Sequence, residues 1–109
     1  DAAFAGCVEA LLADEGVDCA VVSNVPMTPA MQTLPAGEGH AEDFRRAGTA
    51  AMRIIDLFHR TDKPFVVNID AGEVYDPLAG MFAAADVPVF RRCDEAVRFL
   101  RRYVGLRLR

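Results

Sequence analysis

Two stretches place polar side chains and free backbone amides directly after runs of strand character, and chemistry is most readily built there. The first is Ser23-Asn24 with Thr28-Pro29, which follows the run Val17-Asp18-Cys19-Ala20-Val21-Val22. Thr28 before Pro29 has the order of a helix N-cap and first helical position. Proline's fixed φ suits a helix start, and its missing N–H costs no hydrogen bond there. A strand's carboxyl end would thus hand the chain to a helix N-terminus, whose unpaired N–H groups and partial positive charge favour a phosphate. Ser23, Asn24, Thr28 and Ala30 are the phosphate-binding candidates, and the plainer reading is an ordinary strand-to-helix connection. The second stretch is Asp70-Ala71-Gly72-Glu73 with Tyr75, after the apolar run 65–69. If the two strands are neighbours, both loops line one crevice at the carboxyl edge of a parallel sheet, where such folds bind ligands. Asp70, Gly72 and Tyr75 would line it. Asp70 and Glu73 would repel a phosphate unless an arginine or a metal neutralised them.

Other reactive side chains are weaker candidates. His40 sits in a glycine-flanked loop, GEGHAED, with no nucleophile or metal partner at a useful spacing, and reads as a solvated loop histidine. His59, next to Arg60 at a predicted helix end, reads as a partner for helix C-terminal carbonyls. Cys19 reads as a small core residue, and Cys93 as a residue near a helix start. The chain contains no GxGxxG, no GxxxxGK[ST] and no GxSxG, which excludes the dinucleotide fingerprint, the P-loop and the nucleophile elbow. A flavodoxin-type flavin loop is missing. Asp70 lacks the acidic pair and lysine of a response regulator.

The elements that must position these loops alternate in type. Phe4, Cys7, Val8, Leu11 and Leu12 predict a first helix stopping at Gly16. The run 17–23 predicts a strand buried on both faces. Within the long connection Asn24–Ala41, a short helix is expected from Pro29 to about Leu34. A second long helix is expected over Glu42–Arg60, with Ala47, Ala51, Ile54, Ile55 and Phe58 as its apolar stripe. A strand at Phe65–Ile69 and a helix opening at Asp76-Pro77, with Leu78, Phe82 and Ala85 inward, come next. The chain closes with a strand at 86–90, Pro88 near its start, and a helix over 94–104 burying Val97, Leu100 and Val104. Strands alternating with helices predict an α/β fold: an open parallel sheet with helices on both faces and right-handed crossovers.

The chain has 109 residues, 52% of them hydrophobic and 26% charged, which is one globular domain's worth. Its apolar runs are shorter than the roughly 18 residues a membrane span needs, so no membrane partner is expected. The opening DAAFAGCVEALLADEG is a helix pattern and no signal peptide. A net charge of −4 argues against a general nucleic-acid binder. Three widely spaced cysteines, an odd count without a CxxC, fit the reduced thiols of a cytoplasmic protein. Three strands make a thin sheet, and the first residue is not methionine. We therefore expect a single domain over 1–109, part of a larger chain and short of at least one N-terminal strand.

Several segments, in order, resemble a known family. Lys63-Pro64-Phe65-Val66-Val67-Asn68-Ile69-Asp70-Ala71-Gly72, Tyr75-Asp76-Pro77-Leu78, Val87-Pro88-Val89-Phe90-Arg91 and Asp94-Glu95-Ala96-Val97-Arg98 are similar to the succinyl-CoA-synthetase-like ligase domain of NDP-forming acyl-CoA synthetases, the ADP-forming acetate–CoA ligase type. The lead-in Leu11-Leu12-Ala13-Asp14-Glu15-Gly16-Val17-Asp18 and the loop Val25-Pro26-Met27-Thr28-Pro29 with Gln32-Thr33-Leu34 extend the likeness over most of the chain. The resemblance implies a flavodoxin-like three-layer α/β/α fold. It implies an enzyme that interconverts acyl-CoA, NDP and phosphate with a free acid, CoA and NTP through an acyl phosphate and a phosphohistidine. CoA, ATP or ADP and magnesium would serve the full-length enzyme, with no cofactor held by this domain. The partners implied are CoA-binding, phosphohistidine and ATP-grasp domains, in an oligomer. This domain would turn a helix N-terminus, the Asn24–Thr28 loop and the helix from Pro29, toward the phosphohistidine, and would be inactive alone. Succinyl-CoA synthetases carry an Asn and a Gly-Gly pair in that loop, where this chain has Val25-Pro26-Met27. Neither His40 nor His59 matches the phosphohistidine motif. The alternative is a non-enzymatic flavodoxin-like module for ligand binding or subunit contact.

Overall fold

Phe65-Val66-Val67-Asn68 is apolar on both faces but for its last residue, and a strand of that kind is stable only between two layers. It is the middle strand of the sheet. The structure, a computed structural model, describes residues 1–23 and 31–107. Its elements are α1 (Ala2–Ala13), β1 (Ala20–Ser23), α2 (Ala50–Arg60), β2 (Phe65–Asn68), a 3₁₀ turn (Glu73–Tyr75), α3 (Asp76–Ala84), β3 (Val89–Phe90) and α4 (Cys93–Arg107). The described residues form an open parallel sheet in the order β1-β2-β3. Val22 pairs with Val67, Ser23 with Asn68, and Asn68 with Phe90.

Strand alternation then assigns the layers. Val22, Phe65 and Val67 face a core shared with Val8 and Leu12 of α1, Ile54 and Leu57 of α2, and Leu78 and Phe82 of α3. Val21, Val66 and Phe90 face the other way, onto Ala96, Leu100 and Val104 of α4. Among the described residues, three helices therefore cover one face and one covers the other. Because α2 and α3 both lie on the first face of consecutively ordered strands, the two crossovers share one hand, as parallel units require. The α/β class and the open parallel sheet thus agree with the expectation, and the architecture is compatible with a flavodoxin-like fold, although it has three strands.

Several element boundaries differ from those expected. β1 starts at Ala20 and is not buried on both faces throughout: Val22 is buried, but Ala20 and Val21 are half-buried on what is an edge strand among the described residues. The second long helix begins at Ala50, not Glu42. Gly48 takes a positive φ of 85°, and Thr49 caps the helix by accepting from the Met52 N–H. Ala47 is exposed, and Phe44 anchors that connection in the core instead. Met31–Leu34 are not helical, and the rest of the short helix expected from Pro29 lies outside the described residues. In α4, Val97 is half exposed and Ala96 takes its place. α3 stops as expected before β3. Asp86 (φ 64°) lets its own N–H reach Ala83 and the Val87 N–H reach Phe82 O, a left-handed helix ending that Asp tolerates better than most residues.

Candidate functional site at the carboxyl edge

The parallel register makes β1 and β2 neighbours, so their carboxyl ends meet, as the reading of the two loops required. Ser23 and Asn68 leave the sheet on the α4 side, by alternation with Val21 and Val66. The Asn68 amide donates to Ser23 Oγ at 3.4 Å. Asn68 is 1% exposed, and its carbonyl oxygen has no hydrogen-bond partner. A buried amide oxygen left unpaired costs about 1–3 kcal/mol, so this is the sheet's one costly polar choice among the described residues. Ser23 itself is exposed at the rim. Asn24, Thr28 and Ala30, the other phosphate-binding candidates, lie outside the described residues.

The second loop is held by a residue that spacing did not single out. Arg91 directly follows β3 and reaches back across the sheet's carboxyl end. Its Nε donates to Ile69 O (2.9 Å), and one terminal nitrogen donates to Ala71 O (2.6 Å) and Gly72 O (3.0 Å). The other pairs with the Asp76 carboxylate at the start of α3. A planar guanidinium with five donors can satisfy three carbonyls and a carboxylate at once, which a lysine cannot. The available signal was an arginine placed immediately after a strand at the ligand-binding edge. Asp70 and Gly72 are exposed on this loop, but Tyr75 packs against the α1–α3 core. The structure therefore brings Ser23 and Asn68 together on one face and puts the Tyr75 ring on the opposite one.

Helix N-termini at this edge already hold carboxylates from within the chain. At α2, the Asp1 carboxylate accepts from the Ala50 N–H (3.0 Å) and also from the Gln32 N–H. At α4, Asp94 lies between Arg92 and Arg98. Desolvation raises the Asp94 pKa, but Arg92 and Arg98, with the N–H groups of Glu95 and Asp94, outweigh it and hold the carboxyl below its ordinary value. Asp76 opens α3 and pairs with Arg91. An incoming anion would have to compete with these carboxylates. Asp70 and Glu73 have no cationic partner within salt-bridge distance among the described residues.

The remaining candidates have local roles. His40 accepts from the Glu42 N–H (3.1 Å) in an exposed loop. His59 meets the Ala85 carbonyl (2.8 Å) at the end of α3, so the helix end it serves belongs to a neighbouring helix. Cys19 is half-buried just before β1, and Cys7 and Cys93 are exposed. Among the described residues no three His, Cys, Asp or Glu side chains are grouped to hold a metal ion, and no helix is long and apolar enough to cross a membrane. No family model, curated protein or solved structure matches this chain.

Proposed function

We propose that this chain is the succinyl-CoA-synthetase-like domain of an NDP-forming acyl-CoA synthetase, and that it turns its carboxyl edge toward the phosphoryl group carried by a neighbouring domain. The observation that carries this reading is the Arg91 clamp. It joins the Ile69–Gly72 turn, the Asp76 helix start and the end of β3, three of the four similar segments, in one bonded unit. Parts of three of these segments thus meet at one edge of the sheet, while Phe65, Val66, Val67, Leu78, Val87 and Ala96 within the segments are core positions. Ser23 stands on the same edge, directly before the loop expected to face the phosphoryl group. The domain would supply oriented backbone N–H groups there, which stabilise a phosphoryl anion without moving a proton.

The test has two parts. The full-length gene product should form NTP from acyl-CoA, NDP and phosphate, and Thr28→Ala should slow that reaction. In the 109-residue chain, inorganic phosphate should shift the amide resonances of Ser23, Asn24, Val25, Met27, Thr28 and Ala30. A full-length product with no NTP-forming activity would sink the reading. A non-enzymatic binding module is the competing reading, and one observation favours it. Asp70 and Glu73 stand exposed and, among the described residues, without cationic partners at an edge that would have to receive an anion.

A further inference from the structure

The sheet's amino edge, opposite the loops discussed above, carries a cleft of about 320 Å³. It opens where Pro64 leads into β2 and Pro88 into β3, beneath the second half of α4. Its walls are aromatic. Phe99 and Tyr103, one turn apart on α4, stack with centroids 6.2 Å apart and planes 15° from parallel, and Phe58 packs edge-on against Phe65 at 5.2 Å. Phe99 and Tyr103 are nevertheless 40% and 41% exposed, an apolar platform left open to solvent.

Two cations stand at this cleft. Lys63, the chain's only lysine, donates to Asp14 O (2.6 Å). The Arg107 guanidinium lies 5.8 Å from the centre of the Tyr103 ring, with only a long contact to Asp62 O (3.4 Å). Among the described residues neither has a carboxylate within 4.0 Å, although four other arginines do. Asp62 also lines the cleft, so its ionised side chains sum to one positive charge in a chain of net charge −4. Carbonyls hold the two cations in place, and Asp62, with Asp18 on the adjoining hollow, is near them without pairing at salt-bridge distance. An aromatic floor with two such cations is complementary to a flat apolar body bearing one anionic group.

We infer that this cleft is a binding site for a small aromatic anion of the aryl carboxylate or aryl sulfonate class. The ring lies on the Phe99–Tyr103 platform and the anionic group meets Lys63 and Arg107. The site is separate from the carboxyl edge, so its occupancy does not depend on the acyl-CoA reading.

The test uses the 109-residue chain with two fluorescent probes that share one ring system, 1-anilinonaphthalene-8-sulfonate and the uncharged N-phenyl-1-naphthylamine. The sulfonate is expected to bind saturably at one site, about tenfold tighter than the uncharged probe. Lys63→Gln with Arg107→Gln should bring it down to the uncharged probe's affinity, and Phe99→Ala should weaken both probes. Lys63 and Arg107 lie at the surface, and an unchanged circular dichroism melt in the double variant will show that it folds. Equal affinity for the two probes, or sulfonate binding unchanged in the folded double variant, overturns the proposal. A chain that self-associates through this face and excludes both probes overturns it as well.

Discussion

The connections from β1 to α2 and from β2 to α3 do the same topological job, yet opposite chemistry holds them. The described part of the first, residues 31–49, is pinned mainly by acceptors, with Arg53 on the Gly48 carbonyl and Thr49 on the Phe44 carbonyl as its side-chain donors. Asp1 takes the N–H groups of Gln32 and Ala50, Glu42 takes the N–H and hydroxyl of Thr33, and the Gln32 side chain takes the Asp43 N–H. The second is pinned by one donor, Arg91, on three carbonyls. Irregular backbone near a core must have its polar groups satisfied, and the group left over decides which kind of side chain does it. A long excursion leading into a helix leaves N–H groups, which carboxylates satisfy. A tight turn leaving a strand presents carbonyls, which a guanidinium satisfies. The second solution concentrates its bonds in one residue and should fail more abruptly.

Removing that residue is the most damaging test of the contrast. Arg91→Ala should cost about 3 kcal/mol in chemical denaturation and abolish amide-exchange protection in residues 69–76, with Arg91→Lys rescuing little. Protection in residues 31–49 should be unchanged, and equal loss in both loops would refute the separation. Next comes Thr49, whose buried hydroxyl accepts from the Met52 N–H and donates to Phe44 O (2.7 Å). Thr49→Val keeps the shape and loses both bonds, which should lower stability by about 2 kcal/mol, whereas Thr49→Ser should nearly preserve it. Asn68→Val works in the other direction. It removes the orphaned amide oxygen from a strand otherwise apolar, and should raise the melting temperature by the equivalent of about 1 kcal/mol. A destabilised Asn68→Val chain would show that the Ser23 contact outweighs the unpaired oxygen. The smallest effect is expected at Asp94. Its carboxyl titrates below the ordinary value, so its stabilisation is complete above the unfolded-state value and is lost as pH falls through the lowered one. Asp94→Asn should therefore flatten the acid limb of the stability profile and leave neutral pH almost untouched. An acid limb as steep as in the parent chain would contradict that assignment.

How far the sequence could be read varied along the chain for a physical reason. Local pattern suffices where burial is periodic. The helix start at Asp76-Pro77 and the face of Leu78 and Phe82 follow from side-chain period and proline geometry, and the strand expected at Phe65–Ile69, observed as Phe65–Asn68, from its unbroken apolar run. It overreached at residues 42–49, where an apolar helical rhythm continued through Ala47. The Thr49 cap and the Phe44 anchor instead start the helix at Ala50. It also read residues 17–23 as a strand buried on both faces, whereas β1 begins at Ala20 and only Val22 in it is buried, because an apolar run does not show how completely the helix layers cover it.

By itself, the sequence determined the alternation of strands and helices and the parallel class of the sheet, since both follow from local pattern and chain connectivity; that β1 and β2 are neighbours was decided by the sheet's pairing. Only the tertiary structure decided that Asn68 is buried with an unpaired oxygen, that Arg91 gathers three segments into one clamp, and that Lys63 and Arg107 flank one aromatic cleft. These are relations between residues distant in sequence. They arise from register and layer packing, and no local pattern encodes them.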